Sequence, residues 1–293
     1  MRDLRIPVLA ACLISFIAIS NASAATVTPP DATVEGRTLP EWSAQWWQSV
    51  FAIPVYAADG TTVIHPQFDA GLAEGDTVDA PHGLPSPDGR VFFLYGSFFG
   101  GDLERTVTVP AGKHVFVPIV NTEWSNPDTA PPPDFVSPPG NYTQAELAAF
   151  AKAQADTITG LSVSLDGQDV PEVLQNRHPA QFEYTQPTER SITQTFFGID
   201  APGPNESATD GYYLMFLPLS EGKHTLTFTG SSPDNSATPP LLGAFDFTMT
   251  YHLNVTGAAA IPLPAGVWFG LASLALSAIP AIRAHRHAVT RRP

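Results

Sequence analysis

The residue cluster best suited to meeting a ligand is Asn121-Thr122-Glu123-Trp124, which follows the apolar stretch His114–Asn121 and precedes the Pro-rich stretch Asn126–Tyr142. An amide, a carboxylate and an indole at the end of a strand can hydrogen-bond hydroxyls and stack on a sugar ring. The same residues could equally satisfy the backbone of a turn. A second candidate is the tryptophan-rich run, in which Trp42 and Trp46 would offer flat aromatic faces to a sugar, or else plug a β core. Aromatic residues repeating at helical spacing more often face a core.

Catalytic chemistry finds little foothold. No G-x-S-x-G elbow, phosphate-binding G-x-x-x-x-G-K-[ST] loop, G-x-G-x-x-G turn or H-E-x-x-H pair occurs. The histidines between the two ends (His65, His82, His114, His178, His224 and His252) are scattered. Cys12 is the only cysteine and lies in the leader, so a processed chain has no disulfide, thiolate metal site or cysteine nucleophile. Glycoside hydrolysis needs two carboxyl groups ~5–9.5 Å apart. That is a three-dimensional property, and 28 acidic residues make some pair inevitable. No catalytic residue, metal ligand or cofactor is assigned on this basis. Clustered carboxylates leave weak calcium binding as the one cation chemistry to consider, but no D-x-[DN]-x-[DN]-G loop supports it.

Charge narrows the partners further. Six of the 14 basic residues but only one of the 28 acidic ones lie in the two ends, which leaves 8 basic against 27 acidic residues between them. Nucleic acid and anionic lipid surfaces are thereby poor partners. Charged residues make up only 14% of the chain, and 30 prolines and 22 glycines punctuate it. A sparsely charged, turn-rich chain points to many short strands.

The positioning elements follow from periodicity. Thr38-Leu39-Pro40-Glu41 is a T-x-x-E capping box with proline harmlessly in the first turn. Trp42, Trp46, Trp47, Val50 and Phe51 then share one helical face until Pro54. Alternating segments predict strands over Arg90–Phe98, Arg105–Val109, His114–Asn121, Gly160–Gly167, Gln181–Thr185, Ser191–Ile199, Gly211–Leu219, His224–Gly230 and Ala244–Thr256. The fold expected is mainly β: a β-sandwich, jelly-roll-like, with two short helices. The second helix starts at the capping box Thr143-Gln144-Ala145-Glu146, runs to about Ile158 and belongs to an insert over 126–158. Val109-Pro110-Ala111-Gly112-Lys113-His114 and Leu219-Ser220-Glu221-Gly222-Lys223-His224 echo one another and read as two hairpin turns.

Both ends read as addresses. Arg2 and Arg5, the apolar run Ile6–Ser20 and Ala22-Ser23-Ala24 form a secretory signal (1–24), with cleavage expected after Ala24. Cys12 has lipobox-like neighbours, but the apolar run continues past it. At the other end Ala258–Ile282 holds no charged residue over 25 positions, enough for a membrane helix at about 265–282. Arg283, Arg286, Arg291 and Arg292 follow as a stop-transfer cluster that places this end inside and the body (25–257) outside.

Ile261-Pro262-Leu263-Pro264-Ala265, an apolar helix and a terminal arginine cluster together resemble the PEP-CTERM sorting signal, most closely its V-P-L-P-A variant. Departures are Ile261 for valine, Pro280 late in the helix, and histidine and threonine among the terminal arginines. The resemblance covers about the last 35 residues. It implies a Gram-negative cell, removal of the signal by signal peptidase, processing by an exosortase, and delivery to the cell surface or an exopolysaccharide matrix. The body resembles a family of bacterial secreted proteins through its EWSAQWWQ, VPAGKHVFVPIVN and GYYLMFLPLSEGKHTLTF stretches. That family brings no catalytic assignment to transfer. The expectation is therefore a non-enzymatic, polysaccharide-associated surface protein. The alternatives are a secreted carbohydrate-active hydrolase or lyase, and a structural protein whose tail stays in the membrane.

Overall fold

A computed structural model describes residues 27–68, 72–98, 100–126, 140–233 and 244–257. Ala22, Ala24, the motif Ile261–Ala265, the helix expected over 265–282 and the terminal arginines lie outside the described residues, as does most of the Pro-rich loop. Among the described residues no helix is long and apolar enough to cross a membrane.

The protein is mainly β. Ten strands form two five-stranded sheets: β1 (Gly83–Pro85), β2 (Val91–Leu94), β3 (Leu103–Pro110), β4 (His114–Ser125), β5 (Gly160–Leu165), β6 (Gln168–Asp169), β7 (Ala180–Tyr184), β8 (Asn205–Phe216), β9 (Gly222–Ser232) and β10 (Phe245–Thr256). The first sheet runs β7-β8-β4-β2-β1 and the second β6-β5-β9-β10-β3. Each contains one parallel pair, β2 with β4 and β3 with β10, and is otherwise antiparallel. One apolar layer is drawn from both sheets, with Val115, Val117 and Leu214 of the first meeting Leu226, Phe228, Met249 and Leu253 of the second.

There are three α-helices among the described residues, α1 (Leu39–Ala52), α2 (Gln144–Ala155) and α3 (Ile192–Phe197), and α1 and α2 pack on the first sheet. At the start of α1 the Glu41 carboxylate accepts the Thr38 backbone N–H at 2.7 Å and the Thr38 hydroxyl at 2.8 Å. Ile53, ahead of Pro54, is extended (φ −93°, ψ 128°), as a residue before proline prefers, and ends the helix. The buried face of α1 packs Trp42, Trp46, Val50 and Phe51 on Val91, Phe93, Phe116 and Tyr213. The first sheet is thus covered on both faces, so Val91–Leu94 and Val115–Val120 are buried throughout instead of on alternate residues as expected. In α2 the Thr143 hydroxyl accepts the Glu146 N–H at 3.3 Å while the Glu146 carboxylate accepts the Thr143 N–H at 2.8 Å. This helix ends at Ala155, three residues earlier than expected.

Several expectations need correction. Ser191–Ile199 holds a helix, α3, not a strand: the Ser191 hydroxyl caps the Gln194 N–H at 3.2 Å, and Gly198 closes the turn at φ 68°. The two echoing turns are not hairpins. Each carries the chain from one sheet to the other, β3 to β4 and β8 to β9, so their flanking strands do not pair. Their histidines share no site: His114 lies 3.7 Å from Glu35, and His224 lies 2.7 Å from Asp166. Finally, β4 continues to Ser125, so Asn121–Trp124 belongs to the strand and not to a loop after it.

Candidate functional site

The long strand β4 and the short strand β2 create an opening. Their ladder has three rungs, ending at Phe93↔Phe116, so from Val117 onward that edge of β4 has no partner in β2. The chain leaves β2 through Gly96, Ser97 and Phe98 instead of continuing the sheet. The result is a cleft of about 570 Å³ that reaches both faces of the first sheet beside the free edge. Trp47, Phe51, Ile192 and Phe197 line one side, and Phe228, Phe247 and Met249 of the second sheet the other.

One irregularity decides which side chains of β4 face which way. Against β8, Val120 pairs with Tyr212 and Pro118 with Tyr213, so Ile119 is an extra, bulged residue. A proline can sit there because a bulge relieves the ladder of an N–H. The extra residue reverses the alternation. Without it, Asn121 and Glu123 would continue the inward series Val115, Val117, Ile119. With it, Thr122 and Trp124 turn toward α2, where both donate to the Gln154 side-chain oxygen. Glu123 and Ser125 turn toward the α1 side, where Glu123 accepts the Ser207 hydroxyl and Ser125 accepts that of Tyr184 at 3.0 Å. Opposite the bulge, β8 comes so close that a Cβ on Gly211 (φ 147°) would sit 2.4 Å from the Asn121 Cα.

Asn121 and Glu123 therefore line the cleft, as does Thr122 between them. Beneath them runs a buried chain of donors. The Trp47 indole donates to the Tyr213 hydroxyl at 3.1 Å, Tyr213 meets the Thr209 hydroxyl at 2.7 Å, and Thr209 donates to the Thr122 carbonyl at 2.7 Å. Burial holds the Tyr213 phenol un-ionised by pushing its pKa well up. Gln67, 5% exposed, closes the cleft from another side. Its backbone N–H donates to His65 Nδ1 at 3.3 Å, which leaves the His65 Nε2 proton for the Val50 carbonyl at 3.0 Å. Burial pushes His65 down to about 4, so that ring is neutral at pH 7.

The other expected residues are placed differently. Trp124 packs edge-on against Phe150 at 5.4 Å, under α2, and does not line the cleft. Trp42 and Trp46 are both 0% exposed, with their indole N–H groups donating to Val34 O at 2.9 Å and Leu94 O at 2.8 Å. Neither ring offers a face to a ligand, because the stripe they form is the buried face of an amphipathic helix. The exposed aromatic rings at the cleft are instead Phe98, stacked on Phe196 at 5.4 Å, and Phe197, 44% and 46% exposed. Sequence reasoning missed both. Each falls within a segment expected as a strand, Arg90–Phe98 or Ser191–Ile199, and only the tertiary structure reveals its exposure.

Glu123 is the one ionisable side chain among the described residues lining the cleft. Among the described residues lining the cleft there is no second carboxylate to form a two-carboxylate hydrolytic pair with it. No group of three or more His, Cys, Asp or Glu able to hold a metal occurs among the described residues. A second, shallower hollow lies between α2 and β7, beside Arg177 and Asp210. Its charges are internally matched: Arg177 bridges Asp210 and Asp156 at 2.7 Å each, and Lys152 meets Asp156 at 2.6 Å. Comparison with family models, with curated proteins and with solved structures finds no match to this chain.

Proposed function

We propose that this is an exported surface protein whose body, a β-sandwich, binds saccharide non-covalently in the cleft along the free edge of β4. The observation that carries this reading is the pair of exposed rings, Phe98 and Phe197, beside the amide and carboxylate of Asn121 and Glu123. Apolar faces flanked by a few convergent polar groups make a ligand pocket, and sugars present both C–H faces and hydroxyls to match. Glu123 as the single ionisable side chain among the described lining residues supports binding rather than hydrolysis. Export rests on the secretory signal ending at Ala24. Sorting rests on Ile261–Ala265, the apolar stretch behind it and Arg283, Arg286, Arg291 and Arg292. Signal peptidase and an exosortase are the processing partners this reading requires, and the membrane is a temporary anchor on the way to the surface or its polysaccharide matrix.

The direct test is a glycan array probed with the purified full chain. It should be held in a detergent without a sugar headgroup, since a glycosidic detergent would compete. The expected result is a restricted set of binding glycans whose signal disappears in Phe98→Ala. Uniformly blank arrays would reject the reading.

A further inference from the structure

We infer that the cleft selects uncharged saccharides and discriminates against uronate-bearing ones. This rests on the saccharide reading of the same cleft, but it makes a separate claim about charge.

Three observations carry it. The only ionisable side chain among the described lining residues is a carboxylate, Glu123, and no lysine, arginine or histidine is among them. The nearby cations are already committed. Arg177 and Lys152 are matched by Asp156 and Asp210, and the buried Arg105 guanidinium donates to the Tyr95 carbonyl and the Tyr251 hydroxyl. The remaining polar groups in the lining, among them Asn121, Thr193 and Gln67, are neutral amides and hydroxyls suited to sugar hydroxyls. Gln67 points to a ligand of its own accord: it is 5% exposed, and its Oε1 has no hydrogen-bond partner among the described residues. A buried acceptor left unmatched is costly, and only a donor group could match it. A carboxylate entering the cleft could not donate to that acceptor, and would meet Glu123 with no cation among the described lining residues. The formal charge of the chain, −14, adds a repulsive field of the same sign at low salt.

The test uses matched probes that differ only in the carboxyl group: gluco-, galacto- and manno-hexasaccharides against the hexauronates of the same backbones. Calorimetric titration of the full chain at low ionic strength is expected to show the neutral hexamer binding at least about tenfold tighter than its uronate in the backbone series that binds. That difference corresponds to about 1.4 kcal/mol. In Glu123→Gln the gap should close to within about threefold, while Glu123→Asp should keep it. Should Glu123→Gln fold poorly, the wild-type gap must still narrow between low and high salt, because screening weakens like-charge repulsion. A uronate that binds as tightly as its neutral counterpart overturns the inference and leaves the cleft reading standing. A gap that persists in Glu123→Gln, or that ignores salt, also overturns it. If no hexamer of either kind binds, the saccharide reading itself fails.

Discussion

Replacing Trp46 with phenylalanine separates the core from the site more sharply than any other single change. Trp46 is fully buried, its ring lies 5.0 Å from that of Trp47, and its N–H donates to the Leu94 carbonyl at 2.8 Å. Phenylalanine keeps an aromatic ring but leaves that acceptor without its indole donor, at a cost of about 1–3 kcal/mol for a buried polar group. The smaller ring leaves a void of some tens of Å³, worth about 1 kcal/mol more at roughly 24 cal/mol per Å³. A total of about 2–4 kcal/mol should lower Tm by about 4–16 °C, given about 2–4 °C per kcal/mol for a body of about this size. Trp46 does not line the cleft, so saccharide affinity at 20 °C should stay within about twofold. Phe98→Ala should do the reverse, weakening binding about tenfold or more while moving Tm far less, since nearly half of that ring is already in water. Thermal melts followed by circular dichroism and titrations on both variants complete the comparison. A Tm for Trp46→Phe within about 1 °C of wild type, or a loss of binding equal to that of Phe98→Ala, refutes the assignment of Trp46 to the core.

Gly211→Ala should destabilise the fold by at least about 2 kcal/mol, because its φ of 147° disfavours a side chain and the new Cβ would overlap the Asn121 backbone at 2.4 Å. Denaturant unfolding measures this, and a change under about 0.5 kcal/mol contradicts the bulge geometry. Stability should also fall as pH drops from about 6.5 to 4. Burial pushes His65 and His178 down to about 4, so across that window the unfolded chain takes up protons that the folded one refuses. Asp59 and Asp88, held down to about 2 mainly by hydrogen bonds to Thr62 and by Arg37 and Ser86 respectively, lose their contribution only at lower pH. Melts at pH 7 and pH 4.5 test the histidine effect, and the difference should shrink in His65→Gln. Equal stability at both pH values counts against it. Replacing Pro262 and Pro264 with alanine should leave an unshortened chain in the membrane fraction, as intact-mass analysis of the C-terminus would show. Normal processing of that variant removes the sorting reading.

The parts of this fold that were readable from sequence are those set by local chemistry. The T-x-x-E boxes at Thr38 and Thr143, the 3.6-residue spacing of the tryptophans and Pro54 together define α1 and the start of α2. Most strands show their alternation. The parts that stayed hidden depend on partners far along the chain. SITQTFFGI alternates enough to suggest a strand, and only the Ser191 cap and Gly198 make it helical. Gly112 and Gly222 announce turns but not whether the strands they join will pair. The site was half legible. Asn121 and Glu123 could be picked out as polar residues after an apolar run, yet their placement depends on the bulge at Ile119, of which Pro118 is the one local sign and which by itself fixes no register. Trp42 and Trp46 were attractive for their chemistry and excluded by burial, whereas Phe98 and Phe197 gain their role only because β2 stops early and α3 folds beside it.

The parallel pairing of β10 with β3 has a consequence for when the protein can fold. Leu103 meets Met249 across 146 positions of sequence, and among the described residues β3 has no ladder partner other than β10. During synthesis, β3 must therefore wait as an unpaired strand, with Val107 and Val109 lacking their neighbours, until residues 245–256 arrive. Contacts this distant make folding slow, and the exposed edge is open to aggregation in the interval. A chain built this way suits a translocation route that carries unfolded polypeptide and a chaperone that shields it afterwards. A truncation that removes β10 should yield a chain unable to complete its second sheet rather than a smaller stable domain.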